Sequence, residues 1–236
     1  DSGYWYSKFY GDYPYNHITA VDGDMSAGGG MEYPNITVIS TAGSKDLLEY
    51  VIMHEVGHNW LYGILGSNER DHPWMDEGLN EWSNIRYWEK KYSQRNSQFV
   101  VQDFVQNKLG IGKYFNIQLF HYFAIPGIAK SRDRQPLNIS SNDNFNMTNY
   151  GQNYTRVAVM MRFLQHYLGE EKIDKINQEF YETWKFRHPQ PHDYISIFKK
   201  HHNEDLSWFF DNMLNKATYI DYGIKKKGKE FYITNL

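Results

Sequence analysis

The chain contains no cysteine among its 236 residues. Disulfide bonds and thiolate-bound iron–sulfur clusters are therefore excluded, and any metal site in this protein must use histidine and carboxylate ligands. Such ligands suit zinc or another ion of borderline hardness. The chain also lacks an uninterrupted apolar run of the roughly 18 residues that a membrane-spanning helix needs. We therefore expect no integral membrane segment.

A large excess of either charge is also absent. The chain has 25 Lys and Arg against 28 Asp and Glu, a net charge of -3, which argues against a nucleic-acid partner. Its one basic cluster, Lys225-Lys226-Lys227 with Lys229, brackets Gly228 and indicates a solvated turn between two strands. The hydrophobic share of 41% is enough to build a core.

Hydrophobic patterning predicts strands and loops in about the first forty residues and helices after them. Two short β-branched runs, HITAVDG and NITVIS, indicate strands on either side of the glycine-rich SAGGGMEYP. Ser44 suits the N-cap of a helix from about Lys45 to Leu65, and a second helix is predicted from about Asp76 to Tyr92. Further helices are predicted at 97–109, 154–168, 170–187, 192–203 and 205–215, with an irregular connection over 110–153 and a β-hairpin from Tyr219 onward.

These patterns predict an α+β fold in which a small N-terminal β part precedes a mainly helical lobe. We assign residues 1–43 to the β part, which we expect to be truncated upstream. Residues 44–215 are predicted to form the helical, zinc-binding lobe. Residues 216–236 are predicted to open a following β domain that is cut short.

The stretch VIMHEVGHNWLYG, residues 51–63, places three polar groups in a helix that otherwise suits a core. His54 and His58 are four residues apart, so they share one helix face and both imidazoles can point at one divalent cation. In an HExxH helix the glutamate, here Glu55, serves as the general base. Core histidines bonded to backbone carbonyls explain the pattern less well, because three ionisable groups on one face are costly to bury.

A catalytic zinc site needs a third protein ligand. Glu77 follows His58 after eighteen intervening residues, at the start of the second predicted helix. An antiparallel helix pair can bring it to the two histidines. Glu81, one turn later, is either an outer carboxylate that accepts a hydrogen bond from a ligand imidazole or part of a solvated face. Asp76 is equally undecided, and the remaining histidines, His121 among them, show no ligand spacing to one another.

This arrangement resembles the gluzincin zinc aminopeptidase family, which includes membrane alanyl aminopeptidase and the leukotriene hydrolase. The segment GGGMEYP strengthens the resemblance, since the family carries Gly-x-Met-Glu-Asn shortly before its zinc helix, although Tyr33 stands here where the family has Asn. The resemblance covers roughly residues 4–222. It implies a thermolysin-like catalytic domain with one zinc ion per chain, held by His54, His58 and Glu77.

The resemblance also implies how a substrate is held. Glu32 is expected to bind the free α-ammonium group of a peptide, because the glutamate of the family motif does so. Gly29, Gly30 and Met31 are expected to form an edge along which the peptide lies as an added strand.

The family places a tyrosine at the start of a helix that ends about fifteen residues later in Leu-Gly, and this tyrosine stabilises the oxyanion of the tetrahedral intermediate. Counting back from Leu168-Gly169 indicates Tyr154, with Tyr150 a close rival. The implied activity is removal of N-terminal residues from peptides. A zinc-activated water, deprotonated by Glu55, attacks a carbonyl polarised by the metal and by Tyr154.

Two other functions stay open. A thermolysin-like endopeptidase shares the ligands but has no use for an ammonium anchor such as Glu32. A zinc-stabilised binding module with weak catalysis is the other alternative. The family normally carries further domains, so we expect β and helical domains to flank this region in the full-length protein. Four Asn-x-Ser/Thr sequons favour an exported protein; they begin at Asn35, Asn138, Asn146 and Asn153.

Overall fold

The computed structural model describes residues 1–26, 29–40, 44–92, 117–131, 133–144, 146–218, 222–228 and 230–235. Most of these residues are helical and few are in strands, so the predicted α+β class is confirmed. None of the helices in these ranges is both long and apolar enough to cross a lipid bilayer.

The small sheet has three strands, β1 (Thr19–Asp22), β2 (Gly30–Met31) and β3 (Ile36–Ile39). Their order is β1-β3-β2, with β1 parallel and β2 antiparallel to β3. The two β-branched runs of the sequence are thus β1 and β3, as predicted. Strand β2 carries the glycine–methionine pair of the predicted substrate edge and lies at one end of this order.

The first residues differ from the prediction of strands and loops. Residues Ser2–Phe9 form helix α1. Tyr6, Phe9 and Tyr10 recur at spacings of three and four and are all buried, so they form one helix face. Aromatic residues favour strands by propensity, and this preference conceals the helix.

The two helices predicted around the metal motif are confirmed. Helix α2 (Lys45–His58) continues into a wider, π-helical turn, Asn59–Ile64. A second π-helical turn, Trp74–Gly78, leads into helix α3 (Leu79–Lys91). The hydroxyl of Ser44 accepts a hydrogen bond from the amide of Leu47 at 3.2 Å and thereby caps α2 as expected.

The remaining elements are α4 (Ile117–Ala129), α5 (Met147–Tyr150), α6 (Gln152–Leu168), α7 (Glu170–Trp184), α8 (Pro191–His201), α9 (Ser207–Leu214), β4 (Tyr222–Lys227) and β5 (Glu230–Asn235). The last four predicted helices and the hairpin are confirmed, and Gly228 turns the hairpin with φ of 64°. The helix predicted at 97–109 lies outside the described residues.

Helix α4 corrects the prediction of an irregular connection over 110–153. Its sequence, IQLFHYFAIPGIA, is apolar almost throughout, so it has no amphipathic period. It also contains Pro126, which is typical of helix ends and loops. Both features hide the helix from a reading of hydrophobic periodicity.

The core forms where α3 packs against both α2 and α6. Trp60, Trp74 and Trp82 lie fully buried in it. These large side chains hold α2 and the start of α3 in fixed register, and the polar motif residues lie on the same two elements. Asn153 is also buried here, so its sequon cannot carry a glycan in the folded chain.

Candidate metal centre

Three predicted metal ligands converge at the junction of α2 and α3. His54 and His58 lie one turn apart on α2, with their ring centroids separated by 4.7 Å. The Nε2 atom of each ring lies 3.3 Å from Oε2 of Glu77. One donor atom from each residue lies within 4.8 Å of the other two. The helix pair thus directs two imidazoles and one carboxylate at a shared point.

The residues present fit a zinc ion at this point. Oε2 of Glu77 is buried and has no hydrogen-bond partner among the described residues, which is costly for a carboxylate oxygen. Burial raises the pKa of Glu77, but the two neighbouring imidazoles outweigh burial and hold the pKa well below its usual value. The group is therefore an anion. Two histidines and one glutamate are a known ligand set of catalytic zinc.

Asp76 lies directly behind His58. Its Oδ1 is 2.7 Å from Nδ1 of His58, and both side chains are buried. A carboxylate at Nδ1 accepts the proton there, which leaves the lone pair of Nε2 free for the shared point. Burial lowers the pKa of His58, but Asp76 and Glu77 raise it well above its usual value, so a metal ion has to displace a proton from Nε2. The aspartate that sequence reasoning left undecided therefore contacts a predicted ligand.

Glu81 lies behind His54 in the same way. Its Oε2 is 3.3 Å from Nδ1 of His54, and the side chain is buried, so it does not belong to a solvated face. The amide nitrogen of Asn84 lies 2.8 Å from the same Nδ1 and donates a hydrogen bond to it when Nδ1 carries no proton. Burial lowers the pKa of His54, and contacts with Glu77 and Glu81 outweigh this and raise it to about 10, so a metal ion has to displace a proton from Nε2 here as well.

Tyr154 reaches the centre from the start of α6. Its hydroxyl donates a hydrogen bond to Oε1 of Glu77, and its ring stacks on that of His54 with a centroid distance of 5.9 Å. Burial and the Glu77 carboxylate raise the pKa of Tyr154 far above its usual value, so the hydroxyl keeps its proton. The rival, Tyr150, packs against the ring of Tyr154 at 6.0 Å.

A close approach of two helices puts Tyr154 there. A Cβ atom on Gly78 would lie 2.4 Å from the carbonyl oxygen of Asn153 and 2.5 Å from the side chain of Val157. Only glycine allows α6 to come this near to the start of α3. Gly78 follows Glu77 directly, so the contact brings the ligand and the tyrosine together.

Glu55 lies beneath the edge strand β2. A Cβ atom on Gly30 would be 2.3 Å from Cγ of Glu55, so a larger residue at this position would displace the Glu55 side chain. Burial raises the pKa of Glu55 to about 7. A carboxylate oxygen of Glu32, one of Glu55 and a ring nitrogen of His58 lie within 4.8 Å of one another. The predicted base and the predicted ammonium anchor are therefore neighbours.

Glu69 joins this acidic end of the site, and sequence reasoning missed it. Carboxylate oxygens of Glu32, Glu69 and Asp76 lie within 4.8 Å of one another. Burial and the nearby Asp76 raise the pKa of Glu69 to about 9. Nothing in the spacing of Glu69 marks it, because it stands in the loop between the two metal-binding elements.

His121 is a second residue that sequence reasoning missed. Its Nε2 lies 2.7 Å from Oε1 of Glu81, and the ring is buried. The residue belongs to α4, a helix that the sequence pattern did not reveal. No sequence signal linked it to the metal motif.

The chain matches the model of a known protein family. The model of the peptidase family M1 domain matches residues 4–213. The chain belongs to peptidase family M1. This confirms the resemblance to gluzincin aminopeptidases that the motifs indicated.

Relatives within the M1 family are distant in sequence. Aminopeptidase B of Mus musculus is 21% identical over 215 residues, which is 82% of this chain and 30% of that protein. Aminopeptidase M1-D of Oryza sativa subsp. japonica is 20% identical, over 81% of this chain and 20% of that protein. The chain thus spans only a fifth to a third of the length of these curated relatives.

A solved M1 structure shares the fold. The M1 zinc metallopeptidase from Deinococcus radiodurans matches with a TM-score of 0.70 at 14% identity, covering 92% of this chain and 44% of that chain. The predicted ligands, the predicted base, Glu32 and Tyr154 all meet within the M1 domain. The substrate roles of Gly29, Gly30 and Met31 stay predictions.

Proposed function

We propose that this M1 domain removes N-terminal residues from peptides by zinc-assisted hydrolysis. One observation carries the proposal, the convergence of His54, His58 and Glu77 on a point flanked by Glu55 and Tyr154. The names of the mouse and rice aminopeptidases support the reaction, and the bacterial zinc metallopeptidase supports the metal.

His54, His58 and Glu77 would hold one zinc ion. When bound, zinc supplies a Lewis acid that polarises the substrate carbonyl and lowers the pKa of water. Asp76 would keep the imidazole of His58 in the tautomer that leaves Nε2 free, and Glu81 would help to hold the imidazole of His54 in position. Buried, mutually bonded side chains thereby fix the ligand geometry before a substrate enters.

Glu55 and Tyr154 would handle the proton and the developing charge. The Glu55 carboxylate accepts a proton from the attacking water and passes it to the amine that leaves. The Tyr154 hydroxyl donates a hydrogen bond to the carbonyl oxygen as this oxygen becomes negative. Its neighbour Glu77 explains why this tyrosine remains a donor.

Glu32 and Glu69 would select substrates with a free N-terminus. Their carboxyl groups lie close together at the end of the site next to Glu55. The pKa of Glu69 is raised to about 9, and an ammonium group bound here would favour its ionised form. Strand β2 offers its edge to an extended peptide, which would add to the sheet through backbone hydrogen bonds. The ammonium group then sets which peptide bond reaches the metal.

We also propose the finer architecture that the resemblance implies. The domain would be thermolysin-like, with a β part over residues 1–43, a zinc-binding helical lobe over 44–215 and the start of a β domain at 216–236. Flanking β and helical domains in the full-length protein accord with the small share of its relatives that this chain spans.

The test compares the zinc-loaded chain with its Glu55→Gln variant on a short peptide with a free N-terminus. We expect Glu55→Gln to keep its zinc and to lose on the order of 100- to 10,000-fold in turnover, because the general base is gone. The matched control is Glu171→Gln, a carboxamide substitution at an exposed carboxylate, which should leave turnover unchanged.

A second arm separates the alternatives. Glu32→Ala should slow hydrolysis of free peptides far more than hydrolysis of their N-acetylated forms. Equal losses on both would favour an endopeptidase. A zinc-loaded wild-type chain without peptidase activity would favour a binding module, and undiminished hydrolysis by Glu55→Gln would refute the assigned base.

A further inference from the structure

The geometry points to His121 as a positioning residue for the zinc ligand His54, acting through Glu81. The inference rests on the proposed function, since it takes His54 to bind zinc. His121 belongs to α4, which contributes no residue to the predicted ligand set. The contact therefore links a third helix to the metal centre that α2 and α3 form.

Glu81 is the junction of this link. Its Oε1 lies 2.7 Å from Nε2 of His121 and accepts a hydrogen bond from the hydroxyl of Tyr50. Its Oε2 accepts a hydrogen bond from the amide of Asn84 at 3.1 Å and lies 3.3 Å from Nδ1 of His54. A carboxylate has about four acceptor sites, and the Glu81 carboxylate has four polar neighbours at hydrogen-bond or ion-pair distance. His121 supplies one of these contacts.

Burial makes each of these contacts matter. Glu81 and His121 are both almost inaccessible to solvent, so water does not replace a donor that is lost. Oε2 of Glu81 lies 3.3 Å from Nδ1 of His54, and the amide nitrogen of Asn84 lies within hydrogen-bond distance of both atoms. A carboxylate that loses its His121 contact is free to shift toward its remaining donors. The imidazole of His54 then loses the neighbours that fix its orientation.

The second nitrogen of His121 points toward the other side of the site. Nδ1 lies 3.4 Å from the hydroxyl oxygen of Thr155, the residue after Tyr154. One ring therefore spans α3, where Glu81 lies, and α6, which carries the tyrosine. These two contacts hold the ring in place, with Nε2 2.7 Å from Oε1 of Glu81.

A matched pair of variants tests the inference. The amide of Asn at position 121 takes the place of Nδ1, and the amide of Gln takes the place of Nε2. His121→Gln thus keeps a donor toward Glu81, whereas His121→Asn loses it. In competition with a zinc chelator, we expect the zinc dissociation constant of the 236-residue chain to rise about 10- to 100-fold for Asn and less than about 3-fold for Gln.

Two further measurements separate positioning from plain stability. The unfolding temperature of each zinc-free variant reports structural damage. Asn should lower it more than Gln, because buried Glu81 loses a donor, but both variants should stay folded at the temperature of the zinc measurement. In the Glu81→Gln background, His121→Asn should weaken zinc binding no further, because the path through Glu81 is already broken.

Each outcome decides the question. Equal zinc affinity for both His121 variants, or full additivity with Glu81→Gln, overturns the inference while the proposed function stands. If His121→Asn does not fold, a zinc affinity of His121→Gln as weak as that of Glu81→Gln overturns it, and near wild-type affinity supports it. A wild-type chain that binds no zinc would instead overturn the proposed function.

Discussion

In the α2–α3 pair polar side chains are buried, whereas in the β4–β5 hairpin apolar side chains are exposed. His58, Asp76 and Glu81 are only 1%, 0% and 3% exposed. Each has a partner in the chain at hydrogen-bond or ion-pair distance. The polar groups thus form one connected set, arranged around the point where the ligand atoms converge.

The hairpin shows the opposite distribution. Ile224, Phe231 and Ile233 are 71%, 67% and 73% exposed. Strand pairing places Ile224 opposite Ile233 and Phe231 opposite Lys226, so the three apolar side chains share one face. This face buries little surface against the described part of the chain.

The difference indicates which region of the domain is sensitive to the loss of a side chain. A buried polar group is costly to leave without its partner, so the centre responds strongly to the loss of one side chain or of the ion. An exposed apolar side chain gains little free energy from folding, so a substitution in the hairpin should change the free energy of unfolding only slightly. The assignment of residues 216–236 to a following β domain stays a prediction.

Removal of zinc should have the largest effect, because the ion compensates the buried carboxylate between two imidazoles. At free zinc about 1,000 times the dissociation constant, binding adds about 4 kcal/mol to the free energy of unfolding. This corresponds to roughly 8–16 °C in the unfolding temperature of a domain this size. Calorimetry with and without chelator measures it. His58→Ala should be insensitive to chelator, and an unchanged wild-type unfolding temperature would contradict a zinc-filled centre.

Asp76→Ala should come next. Without the carboxylate, Nδ1 of His58 loses its acceptor, and we expect zinc affinity to fall about 10- to 100-fold. Asp24→Ala, at an exposed aspartate, is the control and should bind zinc as the wild type does. Equal affinities for the two variants would show that Asp76 does not orient the ligand.

Phe231→Ser in the hairpin should have the smallest effect. We expect the free energy of unfolding to change by less than about 0.5 kcal/mol, since the ring is exposed. The matched core variant Phe198→Ala, at a fully buried ring, should lose about 3–5 kcal/mol. Denaturant unfolding compares them. A loss with Phe231→Ser close to that of the core variant would erase the contrast between the two regions.

The metal-binding elements were predictable because their signals are local. Positions four apart on a helix share a face, which pairs His54 with His58, and the eighteen-residue spacing to Glu77 added the third ligand. Tyr154 and Glu32 came from the family resemblance alone. Their side chains do lie beside the ligands, although their roles stay predictions.

The remainder of the site depends on contacts between segments that are distant in sequence. His121 meets Glu81 only because α4 packs near α3, and the uniform apolar sequence of α4 hides that helix. Glu69 meets Glu32 through the path of a loop. Helix α1 was not predicted, because the strand propensity of its aromatic residues outweighed the helical spacing of Tyr6 and Phe9. For His121 and Glu69 tertiary packing decides the contact, and no local pattern predicts it; for α1 a local pattern was present but conflicted with propensity.

Anomalous diffraction at the zinc absorption edge, from crystals of the zinc-loaded chain, tests the central claim most directly. We expect one peak, about 2.0–2.2 Å from Nε2 of His54, Nε2 of His58 and a carboxylate oxygen of Glu77. A peak bound elsewhere, or none between these three side chains, would contradict the proposed centre and the enzymatic function built on it.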